Sequence, residues 1–347
     1  MNMSARMHPP SQRGAALLMA MVIVTLVSTI AASMVWQQWR AVQVEGAERV
    51  RSQAAWVLAG ALDLGRHFLA DDARRYPGWD DLTEAWATPL PETRLSSFLA
   101  ADENNNSSDD NSVEAFMSGG VTDAQSKFSI RNLVEGGDGS VKADQVKALA
   151  RLCDNVGVPS GVANQLADAL SRATLAAMAT AGDINAMSKI GGQSGMASAP
   201  LLPQRFDDLI WLGIDAATLE RLRPYVSVLP AEASNATVNV NTASKEVLAA
   251  VIPKMDLGTA ARAVQARARK PFHSLTEFQA IIGQGFTLEG AFLDVGSSYY
   301  EVVGRLRYED FVIEQRHLVQ RMGTDIRVRS QSRFSGLDAA NGANGPH

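Results

Sequence analysis

The feature that most limits how this chain can fold is the absence of charge between Ala15 and Trp39, where the run Ala16-Ala-Leu-Leu-Met-Ala-Met-Val-Ile-Val-Thr-Leu-Val is almost wholly apolar. As a helix this stretch extends roughly 37 Å at about 1.5 Å per residue, enough to cross a bilayer core of about 30 Å. Thr25, Ser28, Thr29 and Ser33 interrupt it, but on a helix their hydroxyls return to carbonyls one turn back and add little to the cost of insertion. Arg6, Arg13 and the amino terminus precede the run, and Arg40 with the mixed group Glu45, Glu48, Arg49 and Arg51 follows it. The small positive bias ahead of the span places that end in the cytoplasm. A secretory signal peptide has a shorter apolar core, about 7 to 15 residues, with a small-x-small site at its far end. Here the best such site, Thr29 to Ala31, is poor. A retained span is left, either a plain signal anchor or a helix processed at its near end.

The order Gln12-Arg13-Gly14-Ala15-Ala16-Leu17-Leu18 sets a basic residue and a glycine at the start of the apolar stretch. It resembles the type IV prepilin and pseudopilin signal, which a prepilin peptidase cuts on the cytoplasmic side so that the helix is retained. The resemblance implies cleavage after Gly14, with Ala15 as the first, N-methylated residue. Met19 then occupies the fifth mature position, where the family usually carries Glu to pair with a neighbouring subunit's amino terminus. A lone carboxylate in lipid is a costly buried charge. A subunit at the end of a filament has no preceding neighbour to neutralise it, and loss of this Glu is typical of the K-type minor pseudopilins of type II secretion.

Beyond the span, Val42, Val50, Ala54, Val57, Leu58, Ala61, Leu62 and Leu64 recur at three- and four-residue steps, predicting one long helix through Leu69. Pro77-Gly78 ends it, and Trp79 to Pro91 reads as irregular connection. The polar tract Asp102 to Asn111 reads as a loop. Glu103, Asn105 and Ser107, with Glu114 in the twelfth place, echo the oxygen spacing of an EF-hand, but Ser108 stands where the sharp turn requires glycine, so the solvated loop is preferred. Thr122 to Leu133 alternates as a strand would. Helices are expected over 143–155, 161–181, 206–212, 216–222, 244–252, 259–268 and 275–282, with Gly191 to Ala199 as a flexible loop. Tyr300, Val302, Gly304, Leu306 and Tyr308 share one face of a half-buried strand, and further strands at 311–321 and 325–330 complete an antiparallel meander. The tail from Ser335 is expected to be disordered.

The segment Val238-Asn-Val-Asn-Thr-Ala-Ser, with the helices after it, resembles the helix-hairpin-helix modules of competence DNA-binding proteins. Thr242 or Ser244 would cap the first helix. The turn Pro253 to Gly258 lacks one of the two glycines that approach phosphate and adds Asp256, while Lys254, Arg262, Arg267, Arg269 and Lys270 keep a basic face. A net charge of −5 and a pI near 5.6 argue against nucleic acid as a general partner. A membrane-anchored competence-type DNA binder is thus the alternative, and a helical domain with a solvated basic face the preferred reading.

A second resemblance agrees with the leader. K-type pseudopilins carry a strand phrase matched here by Asp123, Gln125, Phe128 and Leu133, then a helical insertion with an Asn-x-Asn-Thr-Ala phrase matched by Asn239 to Ala243; Ser129 or Arg131 departs from an Asn usual in the family. The likeness to the general secretion pathway protein K family runs from Gly14 to about Ser330. It implies an α+β fold with a long N-terminal transmembrane helix and an antiparallel pseudopilin sheet core carrying an inserted all-helical domain. The expected division is a leader at 1–14, the helix at 15–69 (span 15–39), the core at 70–141 and 291–334, the insertion at 142–290 and a tail at 335–347. It further implies a tip subunit that initiates or caps the pseudopilus during export of folded exoproteins. The implied location is the inner membrane, with the C-terminal domain in the periplasm. Implied partners are the I-type and J-type minor pseudopilins, the major pseudopilin, the prepilin peptidase, and cargo or secretin. Relatives bind calcium in the globular domain; no other cofactor is implied. No catalytic constellation emerges: His8, His67, His273, His317 and His347 are scattered without metal spacing, and the single cysteine, Cys153, excludes an intramolecular disulfide.

Overall fold

The structure is a computed structural model and describes residues 13–76, 78–95, 115–233, 235–308 and 311–337. The chain divides into two units, Met1–Val57 and Leu58–His347. The first helix, α1 (Arg13–Arg75), runs six residues past the expected Leu69. Arg74 and Arg75 sit in its last turn, where cations complement the helix dipole. In the first unit the stretch Ala16–Glu45 is apolar and wholly unburied. Thr25, Thr29 and Ser33 donate to the carbonyls of Val22, Leu26 and Ile30 at 2.8–2.9 Å, so these hydroxyls are satisfied within the helix.

The second unit is built on a five-stranded antiparallel sheet in the order β1-β2-β7-β8-β9. Its strands are β1 (Leu90–Arg94), β2 (Ala115–Asp123), β7 (Tyr299–Tyr308), β8 (Phe311–Met322) and β9 (Asp325–Leu337). Tyr300, Val302 and Leu306 are buried on the face expected from their period of two, and Leu58, Leu62 and Leu69 of α1 are buried with them. Gly65 lets the helix approach the sheet closely, since a Cβ there would stand 2.6 Å from Val302 Cγ1.

Between β2 and β7 lies the helical portion, with a continuous apolar core that includes Leu149, Leu152, Leu166, Leu170, Val247, Leu248 and Phe278. Its helices are α2 (Ala143–Asn155), α3 (Gly161–Thr180), α4 (Ile184–Lys189), α5 (Gly192–Ser198), α6 (Ala216–Leu222), α7 (Lys245–Val251), α8 (Leu257–Arg267) and α9 (Leu275–Ile282). Two short parallel pairs tie the segments together: β3 (Phe128–Ser129) with β4 (Val226–Ser227), and β5 (Val238–Asn239) with β6 (Leu293–Asp294).

Several expectations are corrected. The strand expected over Thr122 to Leu133 is interrupted: β2 ends at Asp123, whose carboxylate accepts from Gln125 N at 2.7 Å and turns the chain, and only Phe128–Ser129 return to strand as β3. Residues 130–133 form a buried 3-10 turn, so an apolar alternation there reflects burial on all sides rather than a pleat. The Gly- and Ser-rich stretch 191–199 holds α5 instead of a loop, after Gly191 in the left-handed region. Two elements are additional to those expected: α4, capped by Asp183, and β1, which takes Pro91 at the sheet edge where a missing N–H is tolerated. The helix expected over 206–212 is present at those bounds and is of the 3-10 kind. Ser335 does not begin a disordered tail, because β9 continues to Leu337 and pairs with Phe311. The leader up to Gln12, the acidic tract 102–111 and the EF-hand-like positions Glu103, Asn105, Ser107 and Glu114 lie outside the described residues.

Candidate functional site

The two phrases that carry the family resemblance meet in space. Asp123 leaves the end of β2 fully enclosed, and its Oδ2 accepts from Thr242 Oγ1 at 2.5 Å and from Ser297 Oγ at 2.7 Å. Gln125 donates through Nε2 to Thr237 O at 2.8 Å and accepts at Oε1 from the backbone N–H groups of Ser298 and Tyr299. Asn239 donates to Asp80 O at 3.1 Å and to Ser297 Oγ at 3.0 Å. Asn241 closes the loop before α9, donating to Phe272 O at 2.8 Å and accepting from Phe272 N at 2.9 Å. Each of these polar groups is buried and paired, as an interior demands. Burial pushes Asp123 up to about 6, while the Thr242 and Ser297 hydroxyls oppose the shift by stabilising its charged form.

Next to this network lies a denser cluster that the sequence did not disclose. Arg321 on β8 donates to Asp72 Oδ2 at 2.8 Å, to both oxygens of Asp80 and to Ser297 O, with its guanidinium 4.9 Å from the centre of the Tyr300 ring. Glu84 accepts from Trp86 Nε1 at 2.5 Å through Oε2, and its Oε1 is buried with no partner among the described residues. Burial, with Asp72, Asp80 and Asp81 adding repulsion, pushes Glu84 up to about 8 against the Trp86 hydrogen bond. Burial also lifts Asp72 to about 6 despite Arg321. Burial thus favours the protonated form of Glu84, in which the orphan oxygen carries a proton that Asp72 can accept. The only sequence signal for this site was the density of acids between Trp79 and Trp86.

Oxygens of Asp72, Asp80 and Glu84 come within 4.8 Å of one another, the one such group among the described residues. The trio does not fit calcium as it stands. A hard cation needs six to eight oxygen ligands, and the Arg321 guanidinium already supplies the positive charge on two of the three carboxylates. Among the described residues no histidine joins the trio: His273 stacks on Trp79 at 4.2 Å, and His317 lies beside Gln315 on β8.

The hairpin-like segment also resolves. Ser244, not Thr242, caps α7, since Thr242 is committed to Asp123. Asp256 caps α8 by accepting from Thr259 N at 2.8 Å. Arg267 is buried and donates to Val240 O at 2.6 Å, so one of the five cations counted for phosphate is part of the interior. Gly14 and Ala15 fall in the first turns of α1, and Met19 is 70% exposed on it.

Two models of the family described as type II secretion system, protein K match residues 126–231 and 238–290. Type II secretion system protein K of Pseudomonas aeruginosa is 29% identical over 94% of this chain and 93% of its own length. The protein of the same name from Pectobacterium carotovorum is 27% identical over 95% of this chain and 98% of its own. A chain in the crystal structure of the GspK-GspI-GspJ complex of the enterotoxigenic Escherichia coli type 2 secretion system superposes with a TM-score of 0.55. That likeness covers 83% of this chain and 98% of that one at 16% identity, and it is a likeness of fold.

Proposed function

Because this chain belongs to the type II secretion system protein K family, we propose that it is the minor pseudopilin at the tip of the pseudopilus, where it initiates or caps the filament. The observation that carries the reading is the match to protein K relatives along nearly the whole chain, including α1. Met19 supports a terminal position, because an apolar residue at the fifth mature position needs no neighbouring amino terminus for neutralisation. The buried pairing of Asp123 with Thr242 joins the two phrases that carry the family resemblance and ties the helical portion to the sheet.

On this reading Gly14 and Ala15 flank the bond cut by prepilin peptidase, and α1 anchors the chain in the inner membrane with the second unit in the periplasm. The I-type and J-type minor pseudopilins are its partners, as the composition of the Escherichia coli complex supports. The major pseudopilin, cargo and the secretin are further contacts of the same assembly. The protein acts by assembling and performs no chemistry of its own. Any calcium it carries is assigned outside the Arg321 cluster.

Co-purification of the full-length chain with its own I-type and J-type partners tests the function, with a stoichiometric three-component complex expected. Failure to associate with either partner refutes it. Mass spectrometry of the same material is expected to find N-methylated Ala15 first, and an intact Met1 would return the segment to a plain anchor.

A further inference from the structure

Hydropathy alone overshoots the bilayer. The apolar stretch Ala16–Glu45 has 30 residues, and at about 1.5 Å per residue it extends roughly 45 Å, half again the ~30 Å hydrocarbon core. The charge-free part of it ends at Trp39, so the residues at that point are the ones placed to decide where α1 leaves the lipid. Three side chains at i, i+3 and i+4 share one face of the helix: Trp36, 61% exposed, Trp39, 60% exposed, and Arg40. The Arg40 guanidinium lies 5.8 Å from the centre of the Trp36 ring. Counted from Ala16, Trp36 stands about 30 Å along the helix, one hydrocarbon thickness from its start. Indole combines an apolar body with a single N–H donor, and tryptophan concentrates at the headgroup level for that reason. Arginine adds a planar fork of donors that matches phosphate and lays its methylene stem along apolar surface.

We propose that Trp36, Trp39 and Arg40 form an interfacial anchor that binds lipid phosphate in the leaflet far from the amino terminus and sets the depth of α1. Val42 and Val44 then stand above the hydrocarbon, although their hydropathy would place them within it. The proposal rests on the reading that α1 spans the membrane. A lipid partner is favoured over a second helix because the aromatic rings and the cation occur together at one depth, with charge complementary to phosphate.

The test uses the full-length chain in vesicles of phosphatidylethanolamine and phosphatidylglycerol, in a Cys153→Ala background. A nitroxide is placed on Ser28→Cys or on Val44→Cys, and depth is read from collisions with oxygen and with a water-soluble nickel chelate. The expected result is a deep label at 28 and a water-accessible label at 44. In the triple variant Trp36→Leu, Trp39→Leu, Arg40→Leu, the label at 44 should move inward by about 4–6 Å, the rise of three to four residues. A label at 44 that already lies in hydrocarbon, or one that the triple variant leaves unmoved, overturns the anchor. Spin–spin broadening at 44 that disappears on dilution with lipid assigns the face to a second helix and also overturns it. If the label at 28 is itself water-accessible and alkaline carbonate extracts the chain, the spanning reading has failed instead.

Discussion

Replacing Glu84 by Gln should flatten the pH dependence of stability. Burial pushes Glu84 from an ordinary value of 4.5 up to about 8. Over that interval the native state binds more protons than the unfolded chain, so stability is fully present below about pH 4.5 and is lost as pH rises through 8. At about 1.4 kcal/mol per pH unit the gap sets a ceiling near 5 kcal/mol. The proton is shared with Asp72, itself raised to about 6, so about 2 kcal/mol is the working figure for Glu84 alone. Gln keeps the shape and the neutrality: its amide donates towards Asp72 as the protonated carboxyl did, and its carbonyl still accepts from Trp86 Nε1. Urea unfolding of the detergent-solubilised chain, followed by tryptophan fluorescence between pH 5 and 9, reads the difference. The native protein should lose about 2 kcal/mol more than Glu84→Gln between pH 6 and 9. Parallel profiles for the two proteins would refute the argument that Glu84 is protonated in the fold.

Three further outcomes follow from the same packing. Arg321→Met leaves Asp72 and Asp80 buried without their cation and should cost about 3–5 kcal/mol in urea unfolding at pH 7; acid should restore part of the loss, because protonation removes the unpaired charge. Asp123→Asn and Thr242→Val should each destabilise by about 1–3 kcal/mol, and their double-mutant cycle should show a coupling of at least ~0.5 kcal/mol, whereas strict additivity would deny the bond between them. Gly65→Ala sets a methyl group against Val302 and should lower stability by about 1–3 kcal/mol, with Val302→Ala in the same chain restoring much of it; thermal unfolding of the single and double variants decides.

Local pattern made some elements legible. The charge-free run required α1, and the period of two from Tyr300 to Leu306 required β7 with one face buried, because each signal lies within a few consecutive residues. α2 and α9 appear at their expected bounds for the same reason, each being long and periodic enough to declare itself. The failures share the opposite property. Residues 130–133 are buried on every side, so their apolar spacing carried no information on conformation. The Gly-rich stretch around α5 looked like a loop because composition does not reveal the tertiary contacts that offset weak helix propensity.

The sequence by itself determined that the chain begins with a helix able to cross a membrane and continues into an α+β unit, and it marked Asp123, Gln125 and Asn239 to Ala243 as phrases that matter. Only the tertiary structure decided what those phrases do. Asp123 bonds Thr242 across most of the helical portion, and Arg321 arrives from β8 to neutralise acids at the end of α1 and in the turn that follows. Hydrophobic periodicity is a property of neighbours along the chain and can be read one residue after another. The protonation of Glu84 and the partner of Arg321 are properties of distance in space and of the water excluded between the groups, and they exist only once the sheet and helices have closed around them.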